Sequence, residues 1–253
     1  MKVTVLGCGS SGGVPLIGGD WGICDPTNPR NRRTRVSILV EQHETTLMVD
    51  TSPDMRQQAL ACGLMKLDAI LYTHDHADHC HGIDDVRSIN WLMQKSVDIY
   101  ADKNTLAGLT KRFDYIFGGS GLGHYYRPAM AAHEITGAFT IGDIPVVPFE
   151  QDHGHTKSLG FRFGDFAYST DVHSLSDTGF DVLKGTTTWL VDCVRVEPHP
   201  THSHLEQTLS WIERVKPERA YLTHMNQMMD YETLRRILPA GVEPAYDGLV
   251  IEC

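Results

Sequence analysis

The first half of the chain alternates short β-branched runs with stretches of helical spacing. A short apolar run bounded by turn residues predicts a strand, and apolar residues three or four apart predict a helix. Pro53 suits the first turn of one such helix, and Gly63 suits its end. The predicted elements are strands at 3–6, 36–40, 45–49 and 67–72, helices at 53–62 and 84–94, and a strand–helix unit at 97–117.

The same alternation restarts near residue 132, and no linker separates the two halves. The predicted elements are strands at 132–136, 144–149, 159–163, 165–169, 188–192, 219–223 and 249–252, and helices at 204–214 and 231–238. Two successive strand-rich halves with helices are expected to pack as two sheets covered on the outside by helices. We therefore predict an α/β protein that forms one domain over residues 1–253.

Composition and charge limit the kinds of binding partner that this chain can have. Hydrophobic residues make up 41% and charged residues 21% of the chain, as in a globular protein with a sizeable core. The formal net charge of −10 disfavours an extended nucleic acid, because phosphate-backbone binding depends on clustered cations. No apolar stretch approaches the roughly 18 residues of a membrane span, and the N-terminal apolar run is too short for a signal peptide. Six dispersed cysteines without a CxxC pair fit reduced thiols, so we expect a cytoplasmic protein without a membrane partner.

The strongest chemical signal is the run from His74 to His79, HDHADH, directly after the predicted strand at 67–72. In an extended segment residues i and i+2 face the same side, so His74 and His76 can converge on one cation. Asp78 and His79, at the following turn, can face a second cation. Imidazole and carboxylate ligands suit divalent ions such as zinc or manganese. The run therefore predicts two adjacent metal sites.

Further ligands should come from strand ends, because loops there can converge on one point. His153, Asp171 and His224 each follow a predicted strand in the second half of the chain. His155 lies two residues after His153 and would face the same side of an extended segment, so it is the competing ligand. These positions make a dinuclear site that draws on both halves of the chain.

Taken together, the ligand run and the later His, Asp and His resemble the metallo-β-lactamase superfamily. Within it, residues 6–15, 49–54, 76–87 and 222–227 resemble the branch that contains the phosphoribosyl cyclic phosphodiesterase of phosphonate breakdown, ribonuclease Z and pyrroloquinoline-quinone biosynthesis protein B. The resemblance implies a four-layer αββα sandwich. It also implies one metal held by His74, His76 and His153, a second held by Asp78, His79 and His224, and Asp171 bridging the two.

Two divalent ions can lower the pKa of a shared water and stabilise an in-line displacement. We therefore predict hydrolysis by a metal-bridging hydroxide, with Asp78 as a catalytic residue of the metal centre. The segment at 200–206 resembles the histidine motif of the branch, which implies that His202 lies beside the phosphate as a charge stabiliser or general acid. The alternative is a helix-capping loop in which Ser203 is the N-cap and His202 is exposed.

Three further features depend on the fold. Asp50 and Asp192 end predicted strands, and we expect them to accept hydrogen bonds from metal-bound imidazoles. Arg33 belongs to a basic cluster that could bind substrate phosphate by forked hydrogen bonds, with a solvated loop as the alternative. The segment at 117–126, rich in glycine and aromatic residues, is either a flap over the substrate or a plain connecting loop.

Three functions compete at this point. The first is a phosphodiesterase acting on small cyclic or nucleotide-like phosphate esters, in a protein that could be a homodimer. The second keeps the fold for thioester hydrolysis or for an oxidative step of quinone-cofactor biosynthesis. His76 argues against a diiron redox site, where the superfamily resemblance implies glutamate. The third is a metalloprotein that binds a nucleotide without turnover.

Overall fold

The structure, a computed structural model, describes residues 1–118 and 130–253. The elements of the first half are β1 (Lys2–Gly7), β2 (Ser37–Gln42), β3 (Thr45–Val49), α1 (Met55–Cys62), β4 (Ala69–Leu71), α2 (Ala77–Cys80), α3 (Val86–Met93), β5 (Val97–Ala101), α4 (Lys103–Arg112) and β6 (Met130–Glu134). Those of the second half are β7 (Phe139–Ile141), β8 (Ile144–Asp152), β9 (Lys157–Phe163), β10 (Phe166–Ser169), α5 (Asp177–Leu183), β11 (Thr188–Asp192), α6 (Leu205–Val215), β12 (Arg219–Thr223), α7 (Tyr231–Ile237), β13 (Val242–Pro244) and β14 (Val250–Glu252). Short 3-10 helices lie at Pro29–Asn31, Ile83–Asp85 and Asp114–Ile116.

In these described ranges the strands form two sheets of seven. One sheet has the order β14-β1-β2-β3-β4-β5-β6, and the other has the order β13-β12-β11-β10-β9-β8-β7. The C-terminal strand β14 pairs antiparallel with β1, with Lys2 opposite Glu252. The C-terminal strand β14 is therefore one edge of the first sheet, and the strands of this sheet do not all come from the first half of the chain.

The strands of the first sheet bury both of their faces. Along β2 and β3, Ile38 and Leu47 belong to the core that lies between the two sheets. The alternate residues Leu39 and Met48 belong to a second core beneath α1, α3 and α4. Helices α5, α6 and α7 add Phe180, Trp211 and others to the first core from the far side. The result is the four-layer αββα sandwich of the metallo-β-lactamase fold, so the fold prediction is confirmed.

Each sheet is parallel on one side and antiparallel on the other. Strands β3 to β6 run parallel to one another, and so do strands β10 to β13. Parallel strands bring their carboxyl ends to the same edge of a sheet, which is where open α/β sheets bind ligands. The loops that follow β3, β4, β10, β11 and β12 carry the residues described in the next subsection.

Most predicted elements are present with shifted ends, and the short ones were missed. The strand predicted at 132–136 is β6, which begins at Met130, and the helix predicted from Pro53 begins at Met55. Helix α5 has only seven residues with Gly179 among them, so its helical spacing is weak. Strands β7 and β13 have three residues each, too few to show alternation. None of the helices in the described ranges has the length and apolar character that a membrane crossing requires.

Gly82 lets the segment after the ligand run pack against the loop before α1. A methyl group at this position would lie 2.0 Å from Ser52 O and 2.7 Å from Met55 Cβ. We expect Gly82→Ala to lower the free energy of unfolding by roughly 1–3 kcal/mol, the usual cost of overpacking. Urea unfolding followed by circular dichroism measures it. Gly137→Ala is the control, since a Cβ there meets no atom within 4 Å; equal stability of the two variants would contradict the prediction.

Candidate metal centre

Three polar residues follow strand ends in the left-handed backbone region. Asp50 after β3 has φ 63°, Asp171 near the end of β10 has φ 52°, and His224 after β12 has φ 58°. Positive φ is uncommon outside glycine and persists where the surrounding structure fixes it, often at functional sites. These backbone turns occur at the carboxyl edge where the two sheets face each other.

The ligand run crosses from an extended segment into a short helix. His76 has φ −64° and ψ 152° and is the N-cap of α2, which carries Asp78 and His79. The ring centroids of His74 and His76 lie 4.4 Å apart, and those of His74 and His79 lie 4.3 Å apart. The change from strand to helix therefore turns the four side chains of HxHxDH toward neighbouring points.

The predicted ligands come together as two groups that share one residue. In each group one potential ligand atom per residue lies within 4.8 Å of all the others. The first group is His74, His76, His153 and Asp171, and the second is Asp78, His79, Asp171 and His224.

The carboxylate of Asp171 divides its two oxygens between the groups. Its Oδ2 lies 3.8 Å from His74 Nε2 and 3.5 Å from His153 Nε2. Its Oδ1 lies 3.0 Å from His79 Nε2 and 3.3 Å from His224 Nε2. A buried carboxylate with one oxygen toward each set of imidazoles has the geometry of a bridging ligand.

The choice between His153 and His155 is decided by a turn. His153 is only 4% exposed and donates from Nδ1 to Thr201 O at 2.7 Å, which leaves its Nε2 facing Asp171. Gly154, with φ +79°, turns the chain immediately afterwards. His155 therefore lies on the surface and outside the two groups, where it and Lys157 line a cleft of about 590 Å³ that also reaches His74.

Unpartnered nitrogens test whether the site fits metal ions. His74 Nε2, His79 Nε2 and His224 Nε2 are buried and make no hydrogen bond within the described part of the chain. A buried nitrogen without a partner costs free energy, because it has lost its water. Imidazoles and carboxylates at this spacing form a donor set that zinc and manganese accept. The residues fit a pair of divalent cations.

Burial and neighbouring charges keep His74, Asp78 and Asp171 in the form that binds a cation. Burial opposes ionisation of Asp171, but His224 and His79 hold the pKa of its carboxyl well below its usual range. Burial also opposes ionisation of Asp78, and His79 outweighs it and holds that pKa low. Burial, with His79 next to it, lowers the pKa of His74 well below its usual value. Both carboxylates are therefore ionised, and His74 is a neutral imidazole at neutral pH.

Asp50 orients the ligand run from behind. His79 Nδ1 donates to Asp50 Oδ2 at 2.7 Å, and Thr73 donates to the same carboxylate through its N–H and its hydroxyl, each at 2.8 Å. The Thr73 hydroxyl also lies 3.0 Å from His74 Nδ1. Hydrogen bonds at Nδ1 fix the ring so that Nε2 is the free ligand atom. The predicted position of Asp50 behind an imidazole agrees with this geometry.

Asp192 orients an imidazole on the opposite side of the site. Its Oδ2 accepts from Ser203 N at 3.3 Å and from His202 Nδ1 at 3.2 Å. Its Oδ1 lies 3.7 Å from His224 Nδ1 without forming a hydrogen bond. Of the two imidazoles, Asp192 therefore holds His202 the more tightly.

His202 is 9% exposed and belongs to the site rather than to a capping loop. Its ring stacks on that of His224 at 4.6 Å, and its Nε2 lies 3.7 Å from Asp171 Oδ2. Burial opposes its charged form, but Asp192 outweighs burial and raises the pKa of His202 to about 9. The capping alternative is wrong, because Ser203 donates its hydroxyl to Asp192 O and His204 is the N-cap of α6.

Arg33 does not have the substrate-binding role predicted for it. The side chain is 2% exposed, and its guanidinium donates to Met229 O at 2.6 Å and to Asn226 O at 3.3 Å. Those contacts brace the loop that follows His224, so the forked donors are not free to bind phosphate. The predicted flap at 117–126 lies outside the described residues from 119 onward.

Two threonines were missed as parts of the site. Thr201 acts through its main-chain carbonyl, so its side chain left no signal in the sequence. Thr73 precedes His74 directly, and its hydroxyl links two imidazoles to Asp50. Its position directly before the metal-ligand run was the one sequence feature that could have indicated a role for Thr73 in the site.

Comparisons with known proteins agree with this geometry. A family model described as the β-lactamase superfamily domain matches residues 45–225, and the chain therefore belongs to the metallo-β-lactamase superfamily. A crystal structure of a diphosphatase of the PhnP family is 38% identical, covers 100% of this chain and 97% of its own, and superposes with a TM-score of 0.92. Zinc-bound PqqB of Methylobacterium extorquens is 19% identical, covers 100% of both chains and has a TM-score of 0.78, which shows a shared fold. The predicted branch resemblance is confirmed.

A curated relative is longer than this chain. An octanoyltransferase of Porphyromonas gingivalis (strain ATCC BAA-308 / W83) is 31% identical over 254 residues, which cover 98% of this chain. The chain spans 51% of the length of that protein.

The Asp50–His79 contact predicts an effect on metal affinity. We expect Asp50→Asn to weaken zinc binding by roughly 10- to 100-fold, because an outer carboxylate orients the ligand and increases its basicity. Competition with a chromophoric chelator measures the affinity. Asp98→Asn is the matched control, since Asp98 makes a His–Asp pair of the same 2.7 Å length with His133 at the surface. Equal zinc affinity in both variants would be the contrary result.

Proposed function

We propose that this protein is a metal-dependent phosphodiesterase that acts on small cyclic or nucleotide-like phosphate esters, with two divalent ions, zinc or manganese, in its centre. The observation that carries the proposal is the buried Asp171 carboxylate, one oxygen of which faces each group of imidazoles. The PhnP-family diphosphatase, at 38% identity over the whole of this chain, supports phosphate-ester chemistry.

The chain supplies ligands, orientation and a proton. His74, His76 and His153 would hold one ion, and a second would be held by Asp78, His79 and His224 with Asp171 between the two. When bound, such a pair activates water as a nucleophile and neutralises charge on a phosphoryl group.

We assign the leaving-group role to His202. Asp192 accepts its Nδ1–H and raises its pKa to about 9, so the ring also carries a proton on Nε2 at neutral pH. That Nε2 faces Asp171, on the side of the metal groups. It can stabilise a phosphate oxygen and then donate its proton to the departing oxygen.

Thioester hydrolysis is the second candidate, because a 31% identical relative is an octanoyltransferase. The same water activation would serve attack on an acyl carbon. An acyl-enzyme on a cysteine is not supported near the ligand run, because burial raises the pKa of Cys80 to about 12 and keeps the thiol protonated. The name of that relative also belongs to a protein about twice as long as this chain.

Metal content and activity test the proposal together. We expect the zinc-replete protein to bind two ions per chain and to hydrolyse bis(4-nitrophenyl) phosphate and nucleoside cyclic phosphates. Asp171→Asn should lose at least one ion and nearly all turnover, because one carboxamide cannot neutralise two cations. Elemental analysis and initial rates measure the two effects, with Asp177→Asn, an exposed carboxylate on α5, as the control. A higher kcat/KM for octanoyl thioesters than for any diester would favour the second candidate.

The leaving group tests the role of His202. We expect His202→Gln to lower kcat on an alkyl or ribose diester by roughly 10²- to 10⁴-fold, the usual range for a general acid. The loss on bis(4-nitrophenyl) phosphate should be much smaller, because nitrophenolate departs without a proton. Steady-state rates on both substrates measure the difference, and His204→Gln is the control. An equal loss on both substrates, with unchanged metal content, would contradict the acid role.

A further inference from the structure

His199 is a half-buried imidazole next to the site that neither metal group includes. Its ring centroid lies 5.0 Å from that of His202, at an interplanar angle of 64°. His202 in turn stacks on His224. A phosphate beside His202 would therefore have His199 as its nearest imidazole outside the two metal groups.

Hydrogen bonds define the tautomer of His199. Thr201 N donates to His199 Nδ1 at 3.3 Å, and the Thr201 hydroxyl lies 3.3 Å from the same nitrogen. A ring nitrogen that accepts a main-chain N–H carries no proton, so the proton of the neutral ring is on Nε2. Burial, with His202 and Arg195 nearby, lowers the pKa of His199 to about 4, in agreement with a neutral ring. In the part of the chain that the structure describes, no group accepts from that Nε2.

The loop holds this donor in place. His199 lies between Pro198 and Pro200, and proline restricts the residue that precedes it to extended backbone. Arg195 donates to Glu197 O at 3.1 Å and also to Pro198 O. A donor that is already fixed loses little conformational entropy when it binds a ligand.

We propose that His199 is a specificity-determining residue whose Nε2–H donates to an oxygen of the group esterified to the phosphate, such as a ribose hydroxyl. The inference rests on the proposed phosphodiesterase function, which puts the phosphate beside His202. A neutral N–H suits an uncharged hydroxyl or ether oxygen, whereas a phosphate is bound more strongly by charged donors. The two histidines would thus bind adjacent parts of one substrate.

Equilibrium binding tests this without turnover. Isothermal titration calorimetry on the zinc-loaded protein would compare uridine 3′-monophosphate with inorganic phosphate. His199→Phe keeps an aromatic ring beside His202 and removes the donor. We expect the Kd for the nucleotide to rise by roughly 2- to 10-fold, the loss expected for one neutral hydrogen bond. The Kd for inorganic phosphate should stay unchanged, and His199→Asn, which restores an N–H, should recover part of the nucleotide affinity.

Three results would overturn the inference. They are an unchanged nucleotide Kd in His199→Phe, an equal loss for nucleotide and inorganic phosphate, and no nucleotide binding by the wild type. His133→Phe, a surface substitution on β6, controls for general effects of replacing a histidine. Failure of the proposed function would look different, since the wild type would then cleave no diester whether or not nucleotide binding depends on His199.

Two readouts separate substrate contact from a structural role. The ¹⁵N shifts of His199 should report the Nε2–H tautomer near pH 6.5, and an Nδ1–H tautomer would overturn the inference. In turnover, His199→Phe should raise KM for a ribose cyclic phosphate and leave KM for bis(4-nitrophenyl) phosphate unchanged, because the aryl ester lacks the hydroxyl. Equal changes in KM for the two substrates would overturn it as well.

Discussion

The Asp171 carboxylate has to face imidazoles from both sheets at once, and the rest of the site is arranged around that requirement. Its residue follows β10 of the second sheet, whereas His74 and His79 follow β4 of the first. The two sheets must therefore pack in one register for the six other proposed ligands to meet it. The inter-sheet core, with aromatic side chains such as Phe161, Phe163 and Phe166 fully buried, supplies that register. Close packing resists small shifts, since core side chains interlock.

The edge of the sandwich is braced by contacts between distant parts of the chain. Asp247, near the C-terminus, accepts from Thr34 N at 2.7 Å and from Cys8 N at 3.1 Å. Cys8 O in turn accepts from Met225 N at 2.9 Å, directly after His224. The glycine-rich loop after β1 thus supports a proposed ligand. Small residues are needed there, because a Cβ at position 9 would lie 2.9 Å from Thr34 O.

Orientation of the imidazoles uses three acceptors of two kinds. Asp50 and Asp192 are buried carboxylates, and Thr201 contributes a main-chain carbonyl. A carboxylate raises the basicity of the ring and stabilises its charged form more than a neutral carbonyl does. This difference accounts for the raised pKa of His202 beside Asp192 and the lowered pKa of His153 beside Thr201, where burial outweighs the contact. Histidines of one cluster can therefore differ in protonation state, as the proposed roles of ligand and proton donor require.

By itself the sequence determined the features that depend on local spacing. Periodicity gave most strands and helices, and the HxHxDH run predicted two adjacent ligand pairs, because a strand end and a helical turn orient neighbouring side chains in known directions. Only the tertiary structure decided the features that depend on long-range contacts. The turn at Gly154 points His153 and His155 in different directions. Arg33 is buried and donates to the carbonyls of residues 226 and 229, and Thr201 N determines the tautomer of His199. Burial and main-chain acceptors belong to the packed chain, so residue type and spacing alone could not reveal them.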